Sequence, residues 1–204
     1  MKRLIFIIYV VFCIQILNAQ FIVPVDKVNK YITEYGILPD HTYYKDVNKV
    51  LNKYVGTWEG VYKNQTYYFE ITKQTKVRSS IFPSVFRDDL LIKFKITDNR
   101  SKKVIRNTFN LPDDSLINLS LLTEITENKH VMLYYGGDNE QVNCGDIGDI
   151  YLEPFDKNQK LRVYVVPQSM VFYVEDGVHP CPGGRILPPF PDSKETALIL
   201  TKKN

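Results

Sequence analysis

Alternating apolar and polar positions dominate the chain after Gly56. From residue 90 to 97, Leu90, Ile92, Phe94 and Ile96 alternate with more polar neighbours, a period of two that puts the apolar side chains on one face of a strand. Similar short runs lie at 61–72, 119–125, 130–135, 147–152, 161–166, 170–174 and 197–201. Polar turn clusters at 63–65, 98–101, 127–129 and 156–159 separate them. The pattern predicts an antiparallel meander of about eight strands that closes into a barrel or pairs into a sandwich, because open edges invite aggregation.

A helical period stands directly before this region. Val47, Val50, Leu51 and Tyr54 are spaced i, i+3, i+4 and i+7, which predicts a short helix ended by Gly56. Residues 20–42 have no sustained period, so we expect an extended or partly helical arm there. The stretch 177–191 contains five prolines, which predicts a long loop rather than a central strand.

The amino terminus has the three parts of a secretory signal. Lys2 and Arg3 precede an apolar run at 4–17, and a small residue, Ala19, follows it. The alternative is a membrane anchor, but this run is shorter than the roughly 20 residues that a spanning helix needs. We therefore expect cleavage after Ala19, no stable membrane insertion, and a periplasmic or secreted product. The predicted segments are a signal peptide at 1–19, an arm at 20–42 and one domain at 43–204.

Charge and cysteine usage fit an exported domain. The formal net charge is +3, and basic residues are spread among acidic ones, so nothing indicates a nucleic-acid partner or an anionic membrane. Cleavage would remove Cys13 and leave Cys144 and Cys181, which we expect to form a disulfide in an oxidising compartment. In the chain-entropy model such a bond contributes about 4 kcal/mol. A catalytic thiol or half of a metal site is the competing interpretation, without supporting neighbours.

The sequence contains few groupings that carry chemistry. His41, His130 and His179 have no second histidine at i+2 or i+4, so zinc-hydrolase spacing is absent. Nucleophile-elbow, phosphate-loop and dinucleotide motifs are absent too. The polar stretch 136–149 could supply calcium ligands, but its spacing is not that of an EF-hand and also suits an ordinary loop. We therefore predict no catalytic residue, no metal and no cofactor, and expect a protein that is not an enzyme.

Gly56-Thr57-Trp58, placed after the predicted helix and opening the first predicted strand, resembles the Gly-x-Trp signature of lipocalins and the wider calycin group. In that group a short helix closes one end of an up-and-down barrel, and the tryptophan plugs that end. The resemblance implies an all-β, lipocalin-like barrel preceded by a short N-terminal helix, with Gly56 and Trp58 forming the plug. It also implies a basic residue beside the tryptophan, for which Arg185 and Lys202 are the candidates.

A narrower likeness rests on four segments. They are Asn18-Ala19-Gln20 at the end of the signal, 43–48 (YYKDVN), 55–58 (VGTW) and 198–202 (LILTK). Together they are similar to a family of small exported bacterial proteins catalogued as domain of unknown function 6705. That likeness implies export and carries no assigned activity.

Aromatic residues on the predicted strands give two hypotheses about function. In a barrel, alternate positions point inward and can line a cavity for a small apolar ligand. The candidate pocket residues are Tyr62, Phe69, Phe94, Tyr135, Tyr151, Tyr164 and Phe172. The first hypothesis is an exported, non-enzymatic protein that takes such a ligand through the end away from Trp58. The second is an interaction module with a filled interior, acting through its outer loops or the arm before Tyr43.

Overall fold

The structure is a computed structural model that describes residues 20–36, 39–78, 84–115, 120–125, 131–135, 148–167 and 190–203. Strand dominates these ranges, which confirms the all-β class. The strands are β1 (Ile22–Pro24), β2 (Tyr43–Lys45), β3 (Gly56–Tyr62), β4 (Gln65–Arg78), β5 (Phe86–Asp98), β6 (Val104–Asn107), β7 (Ser120–Ile125), β8 (Val131–Tyr135), β9 (Gly148–Phe155), β10 (Lys160–Pro167) and β11 (Leu198–Lys202). A 3₁₀ turn (Val25–Lys27) leads into helix α1 (Val28–Tyr35). Within the described ranges no helix is both long and apolar enough to cross a membrane. The predicted signal peptide and both cysteines of the predicted disulfide lie outside them.

The strands form one sheet in the order β1-β2-β5-β4-β3-β11-β10-β9-β8-β7, with β6 beside β5. The predicted meander is present in two antiparallel runs, β3 to β5 and β7 to β11. The last strand, β11, pairs antiparallel with β3 and puts Lys202 opposite Trp58. β5 and β7 contact each other, but no ladder joins them among the described residues. The closed barrel predicted from the sequence is therefore not confirmed.

Two tight turns set the register of neighbouring strands. Lys63 and Asn64 join β3 to β4 with φ of 44° and 65°, the left-handed pair that matches the twist of a two-residue hairpin. Between β9 and β10, Asp156, Lys157 and Asn158 also have positive φ, at 50°, 54° and 64°. Both turns fall in polar clusters from which the sequence predicted turns.

The helix predicted from Val47 to Tyr54 was wrong. Residues 46–55 instead form successive turns, with i to i+3 bonds such as Tyr54 N–H to the Leu51 carbonyl (3.1 Å). The reason is local competition, since the Asp46 carboxylate accepts the N–H of Val50 (2.7 Å) in place of a helical carbonyl. Lys49, at φ 54°, also interrupts a right-handed helix. The helix that the structure does contain, α1, lies earlier, in the arm.

The core occupies the concave side of the sheet. Leu90, Ile92, Phe94 and Ile96 on β5 are all fully buried, as their alternation predicted. Inward-facing residues on other strands join them in one cluster, including Trp58, Phe69, Ile71, Val131, Leu133, Ile150, Leu152, Leu161, Val163, Val165, Leu198 and Leu200. Each large side chain buried in this way contributes about 1.5–3 kcal/mol. Because members come from both antiparallel runs, the sheet curves around a single interior.

Candidate functional site

Trp58 is part of this buried core. Its side chain is fully buried at the start of β3, and its indole Nε1–H donates to the Tyr54 carbonyl at 2.8 Å. Lys202 Nζ lies 5.1 Å from the centroid of the indole ring, within the range of a cation–π contact. Lys202 is therefore the basic neighbour expected for the tryptophan, while Arg185 lies outside the described residues.

Gly56 makes room for that contact. Its φ of 132° lies in a region that side chains rarely adopt, and an added Cβ would lie 2.8 Å from Lys202 Cε. Glycine is thus required for the backbone conformation and also for the passage of the lysine stem towards Trp58.

Phe190, which comes from the loop before β11, packs against core aromatic residues of β4 and β5. Its ring centroid lies 5.3 Å from that of Phe94, 5.9 Å from that of Phe69 and 6.2 Å from that of Tyr67. These are ordinary distances for packed aromatic pairs. Phe190 is 5% exposed. The sequence did not single it out, because it stands among prolines in a stretch predicted only as a loop.

Three of the predicted pocket residues face this interior. Phe69 and Phe94 are fully buried and pack against each other at 5.9 Å. Tyr62 is partly buried against the same cluster. The side chain of Tyr135 and the whole of Phe172 lie outside the described part of the chain. These three described residues therefore belong to the hydrophobic core cluster or pack against it.

Tyr151 and Tyr164 do not face the interior, which corrects the sequence prediction for these two. They lie directly opposite each other on β9 and β10, and their rings stack at 5.0 Å with an interplanar angle of 5°. Their strand neighbours Ile150, Leu152 and Val163 are fully buried. Since successive side chains alternate between faces, the two tyrosines belong to the outer face.

On that outer face a buried carboxylate fixes the loop carrying Phe190. Glu153, 4% exposed, accepts hydrogen bonds from Arg162 Nη1 (2.9 Å), Tyr164 Oη (2.9 Å) and Lys194 Nζ (2.8 Å). Burial, together with this bond to Glu153, raises the pKa of Tyr164. Bonds with a charged partner are the stronger kind, so Lys194 ties the loop to β9 and β10.

A second attachment of the loop lies directly after Phe190 in the chain. The Val165 N–H donates to the Pro191 carbonyl at 2.7 Å, which extends the edge of β10 onto the loop. Phe190 therefore precedes two fixed points, Pro191 and Lys194, and its position inside the core is set by backbone as well as by side-chain contacts.

A network of buried carboxylates joins β2 and the turn residues after it to β4 and β5, and the sequence patterns predict no role for these residues. Asp88 on β5, 3% exposed, accepts hydrogen bonds from Tyr43 Oη (2.5 Å), Asp46 N–H (2.9 Å) and Lys76 N–H (3.0 Å). Asp46 in turn accepts from Lys73 Nζ at 2.6 Å. Segment 43–48, quoted above only for its likeness to a family, supplies two of these groups.

The donors decide the charge state of this network. Burial opposes the charge on Asp88, but the hydrogen bonds from Tyr43, Asp46 and Lys76 outweigh it and hold the pKa of Asp88 below its usual value. Burial and the bond to Asp88 raise the pKa of Tyr43 to about 12. An ionised aspartate whose oxygens are occupied by donors of the fold is suited to fixing structure and not to proton transfer.

A metal site does not emerge from the described residues, where no three His, Cys, Asp or Glu side chains are grouped to hold an ion. Most of the stretch 136–149 that was weighed above for calcium, residues 136–147, lies outside these residues, as do His130 and His179.

These features define an all-β protein whose last strand rejoins the first strand of its meander beside a buried tryptophan. The chain belongs to the Family of unknown function (DUF6705), which matches residues 1–146. The matched region includes Trp58 and the Asp46–Asp88 network, whereas Glu153, Phe190 and Lys202 fall after it. No curated protein and no solved structure matches the chain.

Proposed function

We propose that this chain is an exported, non-enzymatic protein with a calycin-like barrel, whose interior is filled and which acts by binding another protein through its arm. The observation that carries the proposal is the position of Phe190, packed against both Phe69 and Phe94. A pocket for a small apolar ligand, the first hypothesis from the sequence, would need the volume that this ring occupies.

The calycin-like part of the proposal rests on the end near Trp58. The Gly-x-Trp resemblance implies a buried tryptophan that is covered by residues before its own strand, which here is β3. It also implies a cation on the tryptophan ring and a glycine beside it. The pairing of β11 with β3 joins the two antiparallel runs on one side and supports a closed barrel. On the other side, the contact between β5 and β7 supports closure between those two strands.

The arm offers the contact surface. Among the described residues, Phe21, Ile22, Ile32 and Tyr35 are exposed by 37%, 49%, 43% and 64%. Helix α1 has no buried residue, although its apolar side chains lie mainly on one face. Clustered exposed apolar residues are typical of sites that bind a partner. A catalytic role has no comparable support, because the buried carboxylates are occupied by donors of the fold.

Export is supported by the signal pattern at 1–19 and by the two cysteines that cleavage would leave. An exported barrel acts where nucleotide cofactors are scarce, which agrees with a binding role.

The filled interior is tested by replacing Phe190 with alanine. With the wild-type protein, the fluorescence of an environment-sensitive naphthyl dye should not increase, because no apolar cavity receives the dye. The Phe190→Ala variant should bind the dye, since a dry cavity lined by Phe69 and Phe94 accepts small apolar molecules. Ile199→Ala, at an exposed position on β11, is the matched control and should not increase the fluorescence of the dye.

Native mass spectrometry of the wild-type protein, purified from the cells that export it, completes the test. An unliganded mass agrees with the proposal. A retained small molecule that the dye displaces would contradict it and favour the ligand pocket.

A further inference from the structure

The new amino terminus of the exported chain has a chemistry of its own. If the signal is removed after Ala19, as the proposed function requires, the mature chain begins with Gln20. An amino-terminal glutamine carries a nucleophilic α-amine and a side-chain carboxamide. Attack of the amine nitrogen on the carboxamide carbon closes a five-membered ring. We propose that Gln20 is a modification site and that the mature protein begins with pyroglutamate.

The reaction balances without another reagent. The neutral α-amino nitrogen attacks the side-chain Cδ, the Cδ–Nε2 bond breaks, and ammonia leaves with a proton from the amine. The product is a neutral lactam. An α-amino group has a pKa near 8, so a useful fraction is in the nucleophilic neutral form at neutral pH.

The structure places Gln20 where the ring can form without disturbing the fold. The Phe21 carbonyl already accepts the Tyr43 N–H at 2.7 Å, and Ile22 is in register with Tyr43 in the parallel β1–β2 ladder. Val23 is 1% exposed. The chain is thus fixed from Phe21 onward, and Gln20 is the partly exposed residue that precedes the ladder. Ring closure changes only this residue.

The site also gives the change a consequence. Phe21 packs edge-on against Tyr31 at 5.5 Å and, with Ile22, belongs to the exposed apolar surface of the arm. An open amino terminus would put a positive charge beside that surface, whereas the lactam has none. Cyclisation therefore keeps the start of the arm neutral and removes the free amine that aminopeptidases need.

The test uses full-length chain made and exported by the organism that encodes it. Free amines of the purified protein are reductively dimethylated, and cleavage before Asp26 then releases the peptide 20–25, which contains no lysine. We expect this peptide to be unlabelled and lighter than its sequence by one ammonia. A peptide of unchanged sequence mass plus two methyl groups would overturn the inference while leaving export intact. A chain that starts at another residue would overturn the cleavage site and the inference with it.

Gln20→Asn is the matched variant. An asparagine at this position would need a strained four-membered ring, so its peptide should carry the dimethyl label after the same export and cleavage. An unlabelled peptide that has lost ammonia in this variant would show that the loss does not come from ring closure at residue 20, and would contradict the inference.

Discussion

Two regions hold the sheet together in different ways. Around Trp58 the side chain is buried in the apolar core, its indole N–H donates to the Tyr54 carbonyl, and the Lys202 ammonium lies over its ring. Where β2 and the turns after it meet β4 and β5, the contacts are polar, since Asp88 and Asp46 accept hydrogen bonds from Tyr43, Lys73 and several backbone amides. An apolar plug at Trp58 is what the Gly-x-Trp resemblance implies, and its strength would depend little on pH. A network of buried carboxylates is visible only in three dimensions, and its strength depends on protonation.

The largest expected effect in this comparison comes from removing the plug. Trp58→Ala should lower the free energy of unfolding by about 3–5 kcal/mol, because it deletes the largest fully buried side chain and leaves a cavity. Urea denaturation followed by circular dichroism measures it. Val61→Ala on the same strand, at a position 63% exposed, should change stability by less than about 0.5 kcal/mol. Equal effects of the two variants would show that Trp58 is not a plug.

The polar junction should respond to Asp88→Asn by a smaller loss. We expect about 1–3 kcal/mol, because the charged acceptor for Tyr43, Asp46 and Lys76 is replaced by a neutral amide. Asp114→Asn, an exposed position, should be near neutral. Hydrogen exchange adds a local reading, since amides of β1 and β2 should exchange faster in Asp88→Asn while those of β10 do not. Uniform acceleration over the sheet would contradict a role specific to the arm.

The free energy of unfolding should depend on pH through Asp88 and Tyr43, which both lie in the polar region. The folded pKa of Asp88 lies below the usual 3.8, so its contribution is present above that pH and is lost as pH falls through the lower folded value. The pKa of Tyr43 is raised from 10.0 to about 12, so its contribution is complete below pH 10 and declines as pH rises towards 12.

Denaturation of the wild type and of two variants over a pH series measures both limbs. The stability gap between wild type and Asp88→Asn should narrow in acid, and the gap between wild type and Tyr43→Phe should narrow in alkali. A gap that is constant over the whole range would mean that these groups do not titrate with folding.

The smallest effect should come from the cation above the plug. Lys202→Met keeps an apolar stem near Trp58 and removes the charge, and a cation–π contact contributes about 0.5–2 kcal/mol. Lys203→Met removes an exposed ion pair with Glu59, a kind that contributes about 0–1 kcal/mol. If Lys203→Met lowers the free energy of unfolding more than Lys202→Met does, the contact between Lys202 and Trp58 is not a stabilising one.

Local patterns predicted the parts of this fold that local physics decides. The alternation along β5 and the turns at 63–65 and 156–159 depend mainly on neighbouring residues, whereas the buried position of Trp58 is expected from the Gly-x-Trp resemblance. The helix at Val47 to Tyr54 failed because the spacing of apolar residues does not reveal that the Asp46 side chain takes the place of a helical carbonyl.

Other features depend on contacts distant in the sequence. Tyr151 stands in a run of apolar residues, Ile150-Tyr151-Leu152, so the pattern does not decide which of them faces inward. Phe190 stands among prolines, and only its contacts with β4 and β5 show that it belongs to the core. The parallel pairing of β1 with β2 joins the arm to the sheet through residues that have no strong strand pattern.

The filled interior is the central claim, and a crystal structure of the wild-type protein purified from the cells that export it tests it most directly. The account predicts the Phe190 ring in van der Waals contact with both Phe69 and Phe94, with no other molecule in that space. Density for a small apolar molecule there, with Phe190 displaced, would contradict the account.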